Sequence, residues 1–220
     1  MNLRSRVLDA LGTVYDPELD EPITTLGFVG SCVVTDGGDV SVRLRLPTPQ
    51  CAPNFAFLMA ADARDAVARV PGLGRVAIEL EDHYTGEEIN AAVGRGGGFG
   101  DAFPGETRGE LDALRALFQR KALVAREGRL LPSFDDPASV SLGQLPGPDG
   151  ERCRELRVAL GIDASDDAPA FVTGDGTPVV DFARFRRLAS LTALSLETNG
   201  GMCRDLLAVR YSGSGEVVAA

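Results

Sequence analysis

One cysteine, a pair of carboxylates and a single histidine carry most of the chemistry this sequence can offer. Cys51 follows Pro47-Thr48-Pro49-Gln50 and stands at or near the first turn of a helix predicted over residues 51–70. Unpaired backbone N–H groups and the positive end of the helix dipole meet at such a place. Both favour a thiolate, the form of cysteine that binds metal or attacks an electrophile. Thr48 and Gln50 offer further hydrogen bonds. The same position also suits a small buried hydrophobe. Asp16 and Glu18 flank Pro17 on a proline-stiffened loop. They could orient a metal or hold a thiol's hydrogen-bond network, or serve as a turn residue and a solvated charge. His83 could ligate metal with Glu87 or Glu88, or be a surface residue at a strand end. As the only histidine it excludes a two-His metal site within one chain. Cys203 follows Asn199-Gly200-Gly201-Met202, where a glycine-loosened turn beside a helix start would repeat the logic of Cys51. If the second half folds back on the first, Cys51 and Cys203 could share a metal or cluster; otherwise Cys203 is an unrelated buried thiol. Cys32 and Cys153 are expected to be structural.

The elements that must position these groups can be read from periodicity. Leu3, Val7, Leu8 and Leu11 fall on one face of a short helix over 3–12. A strand is expected over 28–35, then a turn at Asp36-Gly37-Gly38-Asp39. Over 40–46 the sequence alternates, with Val40, Val42, Leu44 and Leu46 pointing one way, which predicts a half-buried antiparallel strand. Phe55, Leu58, Met59, Ala63, Ala66, Val67 and Val70 form the stripe of an amphipathic helix. Val76, Ile78 and Leu80 mark a third strand over 75–81. The order α-β-β-α-β predicts an α+β fold, a small two-layer sandwich, in residues 1–93. Residues 94–109, rich in glycine, read as a linker or loop. Residues 110–220 read as mostly helical. Thr107-x-x-Glu110 has the form of a capping box. Gly161 should stop a helix over 151–160, Asp181 should cap one over 182–196, and Asn199-Gly200-Gly201 should end it. Met202 to Tyr211 could be helix or strand.

Composition narrows the function. A formal net charge of −10 argues against a nucleic-acid partner, since such affinity comes largely from Lys and Arg on phosphates. No glycine run fits G-x-G-x-x-G, and Lys121 is followed by Ala122, so neither a dinucleotide nor a P-loop site is expected. No apolar run approaches transmembrane length, and no signal peptide is read at the start, so no membrane partner is expected. Four dispersed cysteines without a C-x-x-C pair suggest free thiols and a cytoplasmic location.

Asp16-Pro17-Glu18-Leu19, Pro22-Ile23, Leu26-Gly27-Phe28-Val29, the strand from Val40 to Leu46, Thr48-Pro49-x-Cys51 and Val70-Pro71-Gly72-Leu73 occur in order. Together they resemble the metal–sulfur cluster assembly factor family, with its SufT-like and PaaD-like members, over about residues 3–82. The resemblance implies a fold shared with iron–sulfur carriers and a role in maturing iron-containing proteins. It implies that Cys51 is the reactive or ligating thiol, with Asp16 and Glu18 on the loop beside it and Thr48 in the same pocket. The sequence departs from the pattern in three ways. Ala52 separates Cys51 from Pro53, the chain has no Trp, and a cysteine-rich tail is absent. Residues 94–220 resemble nothing familiar and could serve a particular client.

The expectation is therefore a maturation factor and not an enzyme. It would bind iron or an iron–sulfur cluster transiently and pass it to an apo client protein. In some bacteria, stand-alone members of the family accompany multicomponent iron monooxygenases, so the resemblance allows such a client. A homodimer could bring one Cys51 from each subunit, because one thiolate is too few for a cluster normally held by four ligands. A metal-free adaptor that binds a client enzyme is the alternative. A thiol enzyme with Cys51 as nucleophile would need His83 as base within hydrogen-bond reach.

Overall fold

The computed structural model describes residues 2–105 and 108–212. They divide into two compact units: the described residues up to 112 together with 199–212, and residues 113–198.

The first unit begins with α1 (Leu3–Leu11), capped by Asn2, whose side chain accepts the Ser5 N–H. Val7 and Leu11 face the core. Strands β1 (Val29–Val34), β2 (Val40–Arg45) and β3 (Val76–Glu81) form a sheet in that spatial order. β1 pairs antiparallel with β2, from Val34 opposite Val40 to Val29 opposite Leu44. The predicted alternation holds, with Val40, Val42, Leu44 and Leu46 all buried. At its other edge β2 pairs in parallel with β3, Val40 opposite Val76 through Arg45 opposite Glu81. A parallel pair needs a crossover, and α2 (Pro53–Ala68) supplies it. Its Leu58, Met59, Ala63 and Val67 are buried with Ile78 and Leu80 of β3 in one core.

The register slips between Val29 and Ser31, leaving Gly30 at a bulge. The missing side chain there is filled by Arg45: a Cβ on Gly30 would run into the stem and Nε of that arginine. Arg45 in turn bonds Glu81 at 3.0 Å, which Arg43 also holds at 3.0 Å.

Helix α3 (Gly86–Gly94) was not anticipated. Its short run Ile89, Ala92 and Val93 is buried against the core, but it follows β3 without a strong cap and with little sequence to show a period. Asn90 of α3 gives its carbonyl to the Leu80 N–H (2.8 Å) and its amide to the Leu80 carbonyl (3.1 Å). Those two bonds satisfy backbone groups of β3 that lack a strand neighbour. Within the expected linker, Phe99–Ala102 makes one helical turn (α4), and Phe99 packs on Phe57 and Phe103 with ring centres 5.3 and 4.9 Å apart.

The second unit is helical, built from the later part of α5 (Arg108–Leu130), α6 (Gly147–Leu160) and the earlier part of α7 (Phe182–Arg210). Short 3-10 turns at Leu131–Ser133, Pro137–Ser139 and Leu142–Gln144 occupy the proline-rich stretch. Leu123, Leu131, Cys153, Leu156 and Phe171 centre its core. Gly161 ends α6 in the left-handed conformation, and Asp181 caps α7 by accepting the Arg184 N–H at 2.9 Å, both as expected. The capping box Thr107-x-x-Glu110 lies outside the described residues. The whole is an α+β protein: a three-stranded sheet with flanking helices, then a mostly helical region.

Asn199-Gly200-Gly201 does not end a helix; α7 runs through all three to Arg210. Gly200 is buried, and a Cβ there would come within 2.9 Å of Glu21 Oε1. That glycine serves close approach, which a sequence cannot distinguish from a stop signal. Cys203 accordingly lies inside a helix and not on a loosened turn.

Candidate functional site

Cys51 sits on the crossover between β2 and α2. After buried Leu46, the two prolines and the bonds Cys51 N–H to Thr48 carbonyl (3.4 Å) and Tyr84 N–H to Pro49 carbonyl (3.0 Å) turn the chain into the helix. Cys51 precedes Ala52, the N-cap residue, and Pro53 opens α2, which has no side-chain cap. The thiol is half-buried against the core of the first unit. Thr48 Oγ1 lies 3.5 Å from Cys51 Sγ. Because that hydroxyl already accepts the Gln50 N–H at 3.3 Å, its own proton is free to point at the sulfur.

His83 supports the same loop from the end of β3. Its Nε2 is 2.7 Å from the Cys51 carbonyl oxygen. A carbonyl only accepts, so Nε2 carries the proton. Nδ1 is then the acceptor for the Thr85 hydroxyl (3.1 Å) and N–H (3.3 Å). Burial lowers the pKa of His83 from its ordinary value; the bond to Cys51 opposes this, and the charge of Arg210 adds to it. The ring is thus a neutral donor with both nitrogens engaged. In this arrangement it positions Cys51; to become a base or a metal ligand it would have to give up the Thr85 contacts.

Asp16 is the pivot of the loop before β1. Its Oδ1 accepts the N–H groups of Glu18 (2.8 Å) and Leu19 (2.9 Å), while its own N–H reaches the Glu21 carbonyl at 2.9 Å. Burial pushes the Asp16 carboxyl up to about 6, against the two N–H bonds that pull it down and the nearby charges of Glu18 and Glu21 that add to the rise. Glu18 is half-buried.

Cys203 joins this group. It is half-buried against the same core as Cys51. Its thiol is pushed up to about 11, first by burial and then by the negative charges of Asp16, Cys51 and Glu18, with Arg204 opposing. The four residues therefore share one electrostatic neighbourhood. Among the described residues, however, no group of three or more His, Cys, Asp or Glu has an arrangement that could hold a metal ion. Cys32 and Cys153 are buried, and burial raises the pKa of both thiols.

Three residues that sequence reasoning passed over fasten the end of α7 to this unit. Arg204 bonds Glu21 at 2.6 Å. Arg210 donates to the carbonyls of Leu46 (2.9 Å) and Asp82 (2.6 Å). Tyr211 donates to the Asp82 carboxylate at 3.4 Å and lies under the guanidinium of Arg45, 4.9 Å from its ring centre. No local pattern marks these residues, since their partners lie more than a hundred positions away in the chain.

Residues 4–80 match the family described as iron-sulfur cluster assembly protein. An uncharacterized protein of Methanocaldococcus jannaschii is 33% identical over 90 residues, 41% of this chain and 93% of that relative. The chain belongs to the iron–sulfur cluster assembly protein family. Iron-sulfur cluster carrier proteins of Mycobacterium leprae and of Mycobacterium tuberculosis strain H37Rv are 36% and 39% identical over 80 residues, 36% of this chain. The match spans 20% of the length of each of these carriers. The family match contains Asp16, Glu18, Thr48 and Cys51; His83, Cys203 and the end of α7 lie beyond it.

Proposed function

We propose that this protein is a maturation factor that takes up iron or an iron–sulfur cluster as cargo at Cys51 and passes it to an apo client protein. The observation that carries the reading is the thiol of Cys51, half-buried, faced by the Thr48 hydroxyl and tied through its carbonyl to a neutral His83. A thiol with a hydroxyl within hydrogen-bond reach is a candidate ligand for iron. Cys203 is the second thiol, and Asp16 and Glu18 supply oxygen donors and negative charge beside it. Two thiols leave a cluster short of its usual four ligands, so the remainder come from a second copy of the chain or from the client. Cargo held by an incomplete set leaves more readily than cargo in a closed site. Four free cysteines support a cytoplasmic protein, and an iron-dependent oxygenase of the multicomponent type is the client class we favour. The chain acts by transfer and not by turnover of a small substrate.

Anaerobic reconstitution with ferrous iron and sulfide tests this. Wild type should develop charge-transfer absorbance with iron and sulfide bound per chain, and Cys51→Ser should lose it. Cys203→Ser should retain a weaker, less stable chromophore. If wild type binds neither iron nor sulfide, the reading falls, and a metal-free adaptor for a client enzyme replaces it.

A further inference from the structure

The family match ends before the last stretch of α7, yet residues 199–212 group with the first unit. Their inward positions are Cys203, Leu207, Arg210 and Tyr211, spaced as one face of a helix. All four are only half-buried, and Met202, Leu206 and Val209 on the other side are exposed. Leu207 lies at Gly27, 3.4 Å from where a Cβ would be.

The polar contacts are placed with respect to Cys51. Arg204 holds Glu21, in the loop pivoted on Asp16. Arg210, six residues on and so about 9 Å along the axis, holds the carbonyls of Leu46 and Asp82. Leu46 is the last residue before the Cys51 crossover, and Asp82 directly precedes His83, which holds Cys51. The segment therefore lies over the ground between the carboxylate loop and the thiol loop, with Cys203 facing in. Its ion pairs are partly exposed: Arg204 and Glu21 are 43% and 29% exposed, and Arg210 lies 3.8 Å from an Asp82 carboxylate that is 65% exposed. Contacts of this kind are weak and screened by salt. Local opening of such an element does not require the unit to unfold.

We propose that residues 199–212 are a strap over the Cys51 loop: held at Arg204 and Arg210 it covers the loop, and released there it bares Cys51 for handover. This regulation rests on the reading of Cys51 as the cargo-handling thiol. A client that offers acidic groups to Arg204 and Arg210 would displace Glu21 and Asp82 and open the strap.

Access to Cys51 can be measured without any cargo. The full chain is labelled with N-ethylmaleimide at one fixed pH, and modification of each cysteine is followed by peptide mass spectrometry. Wild type should label at Cys51 far more slowly than the urea-unfolded chain. Arg204→Ala/Arg210→Ala should label about tenfold faster, the size expected when two partly exposed charge contacts that govern a local opening are lost. High salt should speed wild type in the same direction. Removing two positive charges by itself makes a nearby thiolate less favourable, so acceleration reports access and not reactivity. Cys32 and Cys153 should stay unlabelled, which shows that both cores persist. Equal Cys51 rates in wild type and variant, or a wild-type rate equal to that of the unfolded chain, would overturn the strap. Labelling that accelerates in a protein that fails reconstitution would leave the strap standing and remove the cargo.

Discussion

Charge is used in opposite ways in the two units. In the second, Glu127 and Arg157 are wholly buried and bonded at 2.7 Å. Arg157 also donates to the carbonyls of Pro169 (2.8 Å) and Ala170 (2.7 Å), and Glu127 accepts the Val172 N–H at 2.7 Å. The pair fixes the irregular segment around 163–172 to α5 and α6, and it is out of reach of any ligand. Burial lifts the Glu127 carboxyl above its usual range, while Arg157 and the Val172 N–H draw it back. In the first unit the charges that fasten the end of α7 are partly exposed. Arg204 with Glu21 and Arg210 with Asp82 sit where water and partners can compete. The same two residue types thus build a rigid scaffold when sealed and a releasable one when wet.

That contrast can be broken by measurement, beginning with the largest effect. Glu127→Ala strands the Arg157 charge in the core, and should cost about 3–5 kcal/mol in urea unfolding followed by circular dichroism. A loss below about 1 kcal/mol would mean that the pair is not the scaffold of the second unit.

Next in size is the pH dependence of the first unit. With its carboxyl raised to about 6, Asp16 in the folded chain holds its proton where the unfolded chain, near 3.8, has lost it. Its contribution is therefore complete below about pH 4 and declines as pH rises to about 6. The decline amounts to about 3 kcal/mol for a rise of two pKa units. Asp16→Asn keeps an oxygen for the Glu18 and Leu19 N–H groups and cannot titrate. Its stability relative to wild type should grow between pH 4 and 6 and then level off. Parallel profiles for the two proteins would show that the carboxyl is not perturbed.

Gly30→Ala should cost about 2 kcal/mol, because the new Cβ must displace Arg45 and loosen Glu81 and Tyr211 with it. A thermal melt would show this, and restoration by a second change, Arg45→Ala, would confirm the cause. The smallest effect is expected for Arg204→Ala, whose exposed pair should contribute less than about 1 kcal/mol to global unfolding. A large loss there would place Arg204 with the sealed charges and not with the releasable ones.

The sheet and its crossover helix were legible because each is written in a short-range code. Val40, Val42, Leu44 and Leu46 alternate, and the apolar stripe of α2 repeats at helical spacing. The place of Cys51 between a strand and a helix could be read in the same way. What could not be read is whatever depends on distant partners. Glu127 and Arg157 look like ordinary solvated charges of helices until the fold buries them together. Gly200 and Gly201 look like a stop because the reason for the first, Glu21, is almost the whole chain away. Spacing offers His83 as a ligand or a surface residue, whereas its bond to the Cys51 carbonyl gives it a third role that spacing does not suggest.

The uniqueness of that histidine has a practical consequence. With one imidazole in 220 residues, every side-chain histidine signal in a nitrogen-15 spectrum comes from His83. Its protonated Nε2 and unprotonated Nδ1 give a characteristic pair of frequencies, and the first of them touches the backbone of Cys51. The protein thus carries a built-in, assignment-free probe of its own thiol loop, readable in a crude mixture with iron, sulfide or a client present.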